Sequence, residues 1–256
     1  MSLSNISRRD FLKTAGLTSG GLVIGISLPI NAKIKTDSSA TAIFNPNAFI
    51  HLQENGDTLI YCGRCEMGQG VSTALPAAVA DEMEADWNRV SVKQADGNEA
   101  LYGDQATGGS ESIRVMYQPM REAGAAAREM LIAAAAKVWQ VKATDCKAEL
   151  HFIINKNTQQ KLAYGELASI AATLPIPKKP VLKNKSDFRY IGKSLPRHDQ
   201  GDVVVGKRIY GIDTKVPGLK YAAIKHCPVL GGSIKSLDKS AALAMKGVSD
   251  VVEIPR

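Results

Sequence analysis

Cysteine is scarce in this sequence. Its four residues, Cys62, Cys65, Cys146 and Cys227, are too few and too scattered to build a disulfide-held fold. Cys62-Gly63-Arg64-Cys65 has redox-motif spacing. No His follows it for haem attachment, no second pair completes a zinc site, and plant-type iron–sulfur spacing is missing. A structural role in a strand, a disulfide and thiol chemistry all stay open for this pair. Histidine is equally sparse. His51 and His151 fall in expected strands, His198 in an expected linker and His226 beside Cys227. No two have metal-ligand spacing, and no Ser–His–Asp order can be drawn. No protein metal site is therefore expected. An internal repeat is lacking too, and so is any run of about 20 strongly apolar residues, which excludes a stable membrane span.

The N-terminus carries Ser7-Arg8-Arg9-Asp10-Phe11-Leu12-Lys13, adjacent arginines ahead of a modest apolar run. Such a pair marks twin-arginine export, which moves proteins already folded in the cytoplasm, often around a cofactor. Thr14 to Ala32 holds four glycines and Pro29, too interrupted for a spanning helix and suited to a removable signal. Residues 1–32 are expected to be that signal, the export machinery a partner and the periplasm the destination.

The formal charge of +7 is not spread evenly. Lys178 to Arg208 holds nine Lys or Arg against three Asp, whereas the rest beyond residue 32 is close to neutral. A uniformly basic nucleic-acid binder is excluded, and no nucleic-acid recognition module is present. The basic stretch reads as a solvated connector, with partner docking as the functional alternative.

Alternation around Glu54-Asn55-Gly56-Asp57 predicts a hairpin of 47–53 and 57–63. A helix over 73–86 and a strand over 89–95 follow, then a loop over 96–112 rich in glycine and hydroxyl residues. Pro119 suits a first helical turn, so a long helix is expected from there to Trp139. Arg114, Arg121 and Arg128 recur every seven residues here, and Gly124 among alanines leaves room for a close neighbour. A second hairpin over 148–164 with its turn at 155–157, and a helix over 164–173, precede the prolines of 175–180. Beyond the linker, 221–227 and 248–254 read as strands around a helix at 239–245. The chain stops directly after the last strand, which leads to the expectation of a fragment.

Two glycine-rich segments could carry chemistry. In Glu66-Met67-Gly68-Gln69-Gly70, between strand and helix, glycines permit close approach of a ligand. Gln69 offers amide donors and an acceptor, and the following helix would favour an anion there. Thr107-Gly108-Gly109-Ser110-Glu111-Ser112 could form a concave array of N–H groups for phosphate. It lacks the Lys and the spacing of a P-loop. A tight turn and a flexible loop are the plain alternatives.

Taken together, the order strand, EMGQG, helix, strand, TGGSES, long alanine-rich helix resembles the molybdopterin-binding large subunits of the xanthine oxidase family. Further matching phrases include 121–128, Tyr164-Gly165-Glu166-Leu167, 187–193, Pro196-Arg197, Gly211-Ile212-Asp213, Val216-Pro217-Gly218 and Cys227-Pro228-Val229, so the likeness spans about 43–256. It implies an α+β fold: a mixed β-sheet with packed helices over 43–174, part of a molybdopterin-binding domain. A basic Pro/Lys linker over 175–205 would follow, then the start of a small, hammerhead-like α/β domain over 206–256. It also implies a molybdenum hydroxylase that oxidises an N-heteroaromatic or aldehyde substrate with water-derived oxygen and passes electrons to a [2Fe-2S] cluster on a small partner subunit. The implied cofactor is molybdopterin with molybdenum, in its cytosine dinucleotide form. By motif, Met67, Gly68, Gln69 and Gly70 would contact the pterin. Thr107, Gly108, Gly109, Ser110 and Ser112 would line its phosphate side. The family's general-base glutamate belongs to a motif that this sequence lacks; neither Glu66 nor Glu111 matches it, so no catalytic residue is assigned. The alternative is an exported, non-catalytic fragment that binds a partner or has no function.

Overall fold

The computed structural model describes residues 22–26, 47–53 and 55–254. Arg8, Arg9 and the expected cut after Ala32 lie outside them. Part of the apolar run is described as strand β1 (Leu22–Ile26), antiparallel to β2 (Asn47–Leu52). The described residues form two compact units, divided between Gly211 and Ile212.

In the first unit, β2 turns through Gln53–Asp57 into β3 (Thr58–Cys62), as the alternation predicts. Helix α1 (Val71–Met83) crosses over to β4 (Val90–Gln94), which pairs parallel with β3. Phe49, Ile50, Leu52, Leu59, Ile60 and Cys62 are all buried, so these strands are covered on both faces. A short helix α2 (Glu99–Tyr102), capped by the Asn98 side chain, interrupts the expected loop. Helix α3 runs from Ser112 to Trp139 and starts seven residues before Pro119. Met116 and Met120, one turn apart, are both buried and extend the packed face through the proline. Pro119 therefore sits inside the helix, where it has no N–H to give the carbonyl four residues earlier, and packing on both sides carries the helix through it.

Gly124 performs the expected close approach. A Cβ there would strike the Val79 carbonyl oxygen and meet Glu82 Cβ at 2.9 Å, so the main chain of α3 lies directly against that of α1. Because α1 is covered on nearly all sides, its carboxylates need partners. Glu82 is bound by Arg121 at 2.6 Å and Arg128 at 3.2 Å. Asp81 accepts from the N–H groups of Tyr190 and Ile191, each at 2.8 Å, and from Lys183 Nζ at 2.7 Å. Lys183 and Arg189 also pair with Glu84.

That network corrects one expectation. Residues 181–191 are irregular but are clamped onto α1 by buried carboxylates, so the basic stretch is no solvated connector there. Its positive charge is spent on compensating acids that burial would otherwise leave unpaired.

The second hairpin is also different. Strands β5 (Cys146–Glu149), β6 (Phe152–Asn155) and β7 (Lys161–Ala163) form a meander with turns at 150–151 and 156–160, followed by helix α4 (Tyr164–Ala171). Leu150 and His151 take φ of 47° and 66°, the left-handed pair that a two-residue hairpin requires. His151 therefore lies at a turn and not in a strand. It is fully buried, accepting at Nδ1 from the Asp86 N–H at 2.6 Å and donating from Nε2 to Thr58 Oγ1 at 3.0 Å.

This geometry fixes a neutral ring, and burial, assisted by the Arg89 charge, lowers its pKa from 6.5 to about 4. The unfolded chain takes up a proton near pH 6.5 that the folded chain refuses until about 4. Stability is thus full above 6.5 and declines as pH falls through that window, by about 3 kcal/mol near its lower end. Urea midpoints for wild type and His151→Asn, which tolerates positive φ, should diverge in pH slope only between those values. Parallel slopes would remove the ring from the account.

In the second unit, α5 (Ser240–Leu243) follows the Asp238 side chain, which accepts from Ser240 N and Oγ. The strands expected at 221–227 and 248–254 are absent, and nearly every described side chain is exposed, including Leu230 at 93% and Tyr221 at 87%. A strand needs a ladder partner, and neither segment has one among the described residues.

Candidate functional site

The two glycine-rich segments, 42 residues apart in sequence, meet in space. The Thr107 hydroxyl donates to the Cys65 carbonyl at 3.1 Å. Arg64, 1% exposed, passes beneath them and donates to the Ala106 carbonyl and to Asp104 Oδ2 at 3.4 Å. Its Nε has no partner. A buried guanidinium linking β3 to the second segment thus holds both in register, and nothing in the spacing alone pointed to Arg64. Cys62 is buried and Cys65 exposed, both as free thiols. Burial pushes the Cys62 thiol up to about 11, so it stays protonated.

The first segment closes on itself. Gly68 and Gly70, with φ of 102° and 88°, turn their N–H groups inward to Glu66 Oε1 at 2.8 and 2.9 Å. Oε2 accepts from Ser72 N at 2.9 Å and Ser72 Oγ at 2.8 Å. Burial opposes ionisation of Glu66, but these donors outweigh it and hold the carboxyl below its usual range. The anion expected at the N-terminus of α1 is therefore part of the chain. What remains outward is Met67 and Gln69, both exposed. Gln69 Oε1 accepts from Met67 N at 2.6 Å and its Nε2 donates to the Cys65 carbonyl at 3.1 Å. Each atom has one hydrogen-bonding position left.

The back of this loop is closed by 197–199. Arg197 donates to the Gly68 carbonyl at 3.0 Å, forks onto Asp199 with two contacts of 2.9 Å, and approaches Glu66 Oε1 at 3.6 Å. His198 Nε2 lies 3.2 Å from Ser72 Oγ, and its N–H reaches Thr73 Oγ1 at 3.3 Å. Pro196-Arg197 stood out only as a family phrase, and contact with the first loop was not legible from it.

The second segment is open. Gly108, Gly109 and Ser110 are exposed, Ser112 is buried as the first residue of α3, and Glu111 gives that helix no side-chain cap. Gly109 and Ser110 have φ of 54° and 56°. Holding the serine there costs about 1–2 kcal/mol, the kind of strain that collects at ligand loops. Added Cβ atoms at Gly68, Gly70 and Gly108 would meet nothing within 4 Å, so the outer faces of both loops are clear. Glu111 pairs with Arg114 at 2.5 Å. Neither glutamate near the loops is an idle carboxylate.

Two backbone-rich loops with an uncapped 28-residue helix at one and an outward amide at the other, on a mixed α/β core, define a cofactor-binding domain. Residues 8–206 match the family described as the molybdopterin cofactor-binding domain, and the chain belongs to that family. It is 32% identical to isoquinoline 1-oxidoreductase subunit beta of Brevundimonas diminuta, over 98% of this chain and 37% of that one. It is 31% identical to the membrane-bound aldehyde dehydrogenase [pyrroloquinoline-quinone] of Gluconacetobacter polyoxogenes, over 95% of this chain and 32% of that one. Among solved structures, quinoline 2-oxidoreductase from Pseudomonas putida 86 superposes with a TM-score of 0.41 at 16% identity, over 51% of this chain and 17% of that one. The chain thus spans about a third of the length of the curated relatives it matches. The fold expected from the motif order, a mixed sheet with packed helices, is the one observed.

Proposed function

We propose that this chain supplies the two cofactor loops of a molybdenum hydroxylase large subunit exported to the periplasm by the twin-arginine machinery. The observation that supports this reading is the junction of the loops at Cys65, whose carbonyl accepts from both Thr107 Oγ1 and Gln69 Nε2, with Arg64 bound to Ala106 beside it. The donor set fits the group. Gln69 has one donor and one acceptor position free for a pterin edge, with Met67, Gly68 and Gly70 around it. Thr107, Gly108, Gly109, Ser110 and Ser112 lead into the uncapped end of α3, which favours phosphate. The cytosine dinucleotide form of the cofactor is part of this proposal.

When bound, molybdopterin with molybdenum supplies the two-electron redox chemistry by which an N-heteroaromatic or aldehyde carbon gains oxygen from water. This chain's residues bind and orient; they do not take the proton. Glu66 is engaged by three N–H groups and a hydroxyl, and Glu111 by Arg114, so a base must come from outside these loops. Electrons would leave through a [2Fe-2S] partner subunit. On this reading the chain by itself does not turn over. The rival is an exported segment that binds a partner without catalysis.

The test is analysis of the chain purified with its assembly from the periplasmic fraction. Stoichiometric molybdenum with a fluorescent pterin and released cytidine nucleotide is expected. A quinone, or no cofactor with the iron–sulfur partner present, would overturn the reading, as would a chain found only in the cytoplasm. Gln69→Ala should lower molybdenum occupancy by roughly fivefold or more, since hydrogen bonds left unmet cost about 1–3 kcal/mol. Unchanged occupancy would take Gln69 out of the site.

A further inference from the structure

The N-terminus of α1 is filled from within. Glu66, 1% exposed in its side chain, occupies the place where an external anion would accept from Gly68, Gly70 and Ser72. Charge around it is balanced: Glu66 and Asp199 face Arg197 and Arg208, with His198 held toward its neutral form by burial. No excess positive charge is left there for a phosphate. At α3 the opposite holds, since Glu111 turns to Arg114 and leaves the first turn without a side-chain cap.

We propose that Glu66 and Arg197 are positioning residues that set the Gln69 loop before any ligand arrives. Glu66 gathers the loop's N–H groups on the inside, and Arg197 fixes it from the carbonyl side through Gly68. The loop's polar main chain is then satisfied without a ligand, so binding need not pay for ordering it. That the loop serves a cofactor rests on the reading above; the filled end of α1 does not.

The experiment uses the full chain labelled with 15N-glycine and titrated with acetate or inorganic phosphate at constant ionic strength. In the wild type, neither acetate nor phosphate should move Gly68 or Gly70. In Glu66→Ala, acetate should enter the vacated position and move Gly68 and Gly70 saturably, with an apparent affinity at least about tenfold above wild type. A merely structural glutamate would give no such rescue. Phosphate moving Gly68 and Gly70 in the wild type, or a folded Glu66→Ala chain blind to acetate, would overturn the internal anion. If Glu66→Ala does not fold, acid titration of the wild type decides. Gly68 and Gly70 should then report a carboxyl titrating below 4.5, a step lost in Glu66→Gln. No step would sink the proposal. Molybdenum content enters none of these readouts, so failure of the cofactor reading stays separate.

Discussion

Glu82→Ala is expected to lower stability by about 3–5 kcal/mol, the cost of breaking a buried ion cluster from one side. Glu82 is fully buried and is the shared acceptor of Arg121 and Arg128, and it also accepts from the Lys183 N–H at 2.9 Å. Removing it leaves two largely buried guanidinium groups facing each other without an anion. Its loss also frees the 181–191 segment from α1. The measurement is a urea midpoint for wild type, Glu82→Ala, and Glu82→Ala combined with Arg121→Met and Arg128→Met. The combined variant should recover part of the loss, because the uncompensated charge goes with the arginines. A single variant within about 0.5 kcal/mol of wild type would show that the cluster adds nothing.

Gly124→Val should be nearly as costly. Its first side-chain carbon would overlap the Val79 carbonyl oxygen and crowd Glu82 Cβ, and a backbone atom cannot rotate away. Overpacking of this kind costs about 1–3 kcal/mol, and more where main chain is struck. Gly124→Ala makes the comparison informative, because alanine's helix propensity returns about 1 kcal/mol. Alanine should still lose stability and valine should lose more. Thermal midpoints in that order support the close crossing of α1 and α3; alanine above wild type would mean that the helices stand further apart. Since α1 begins at the Gln69 loop and α3 at the Gly108–Ser112 loop, a shift at Gly124 would also separate the two halves of the proposed site.

Much of this was readable along the chain. Alternation around Asn55-Gly56 specified β2 and β3, and the glycine among alanines at 124 specified a close crossing. The seven-residue spacing of Arg121 and Arg128 put both on one face, and both meet Glu82. Other features could not be read, for identifiable reasons. Pro119 resembles a helix start because only its neighbours' packing, at Met116 and Met120, shows that the helix runs through it. His151 resembles a strand residue because a left-handed turn of Leu150 and His151 carries no glycine to announce it. The strands expected at 221–227 and 248–254 have the right side chains, yet strands are made by partners.

The sequence by itself determined the family, through two short glycine-rich phrases whose order is specific where each alone is weak. It also singled out Gln69, Thr107 and the glycines as candidates for binding, from their donors and backbone freedom. Tertiary structure decided how those groups are used. Only folding brings Thr107 to Cys65 and slides Arg64 beneath Ala106, because hydrogen bonds between distant segments leave no local pattern. Only folding shows that one helix end is filled by Glu66 and the other left without a cap. Both ends favour an anion for the same electrostatic reason, and the difference lies in which carboxylate the chain has already placed there.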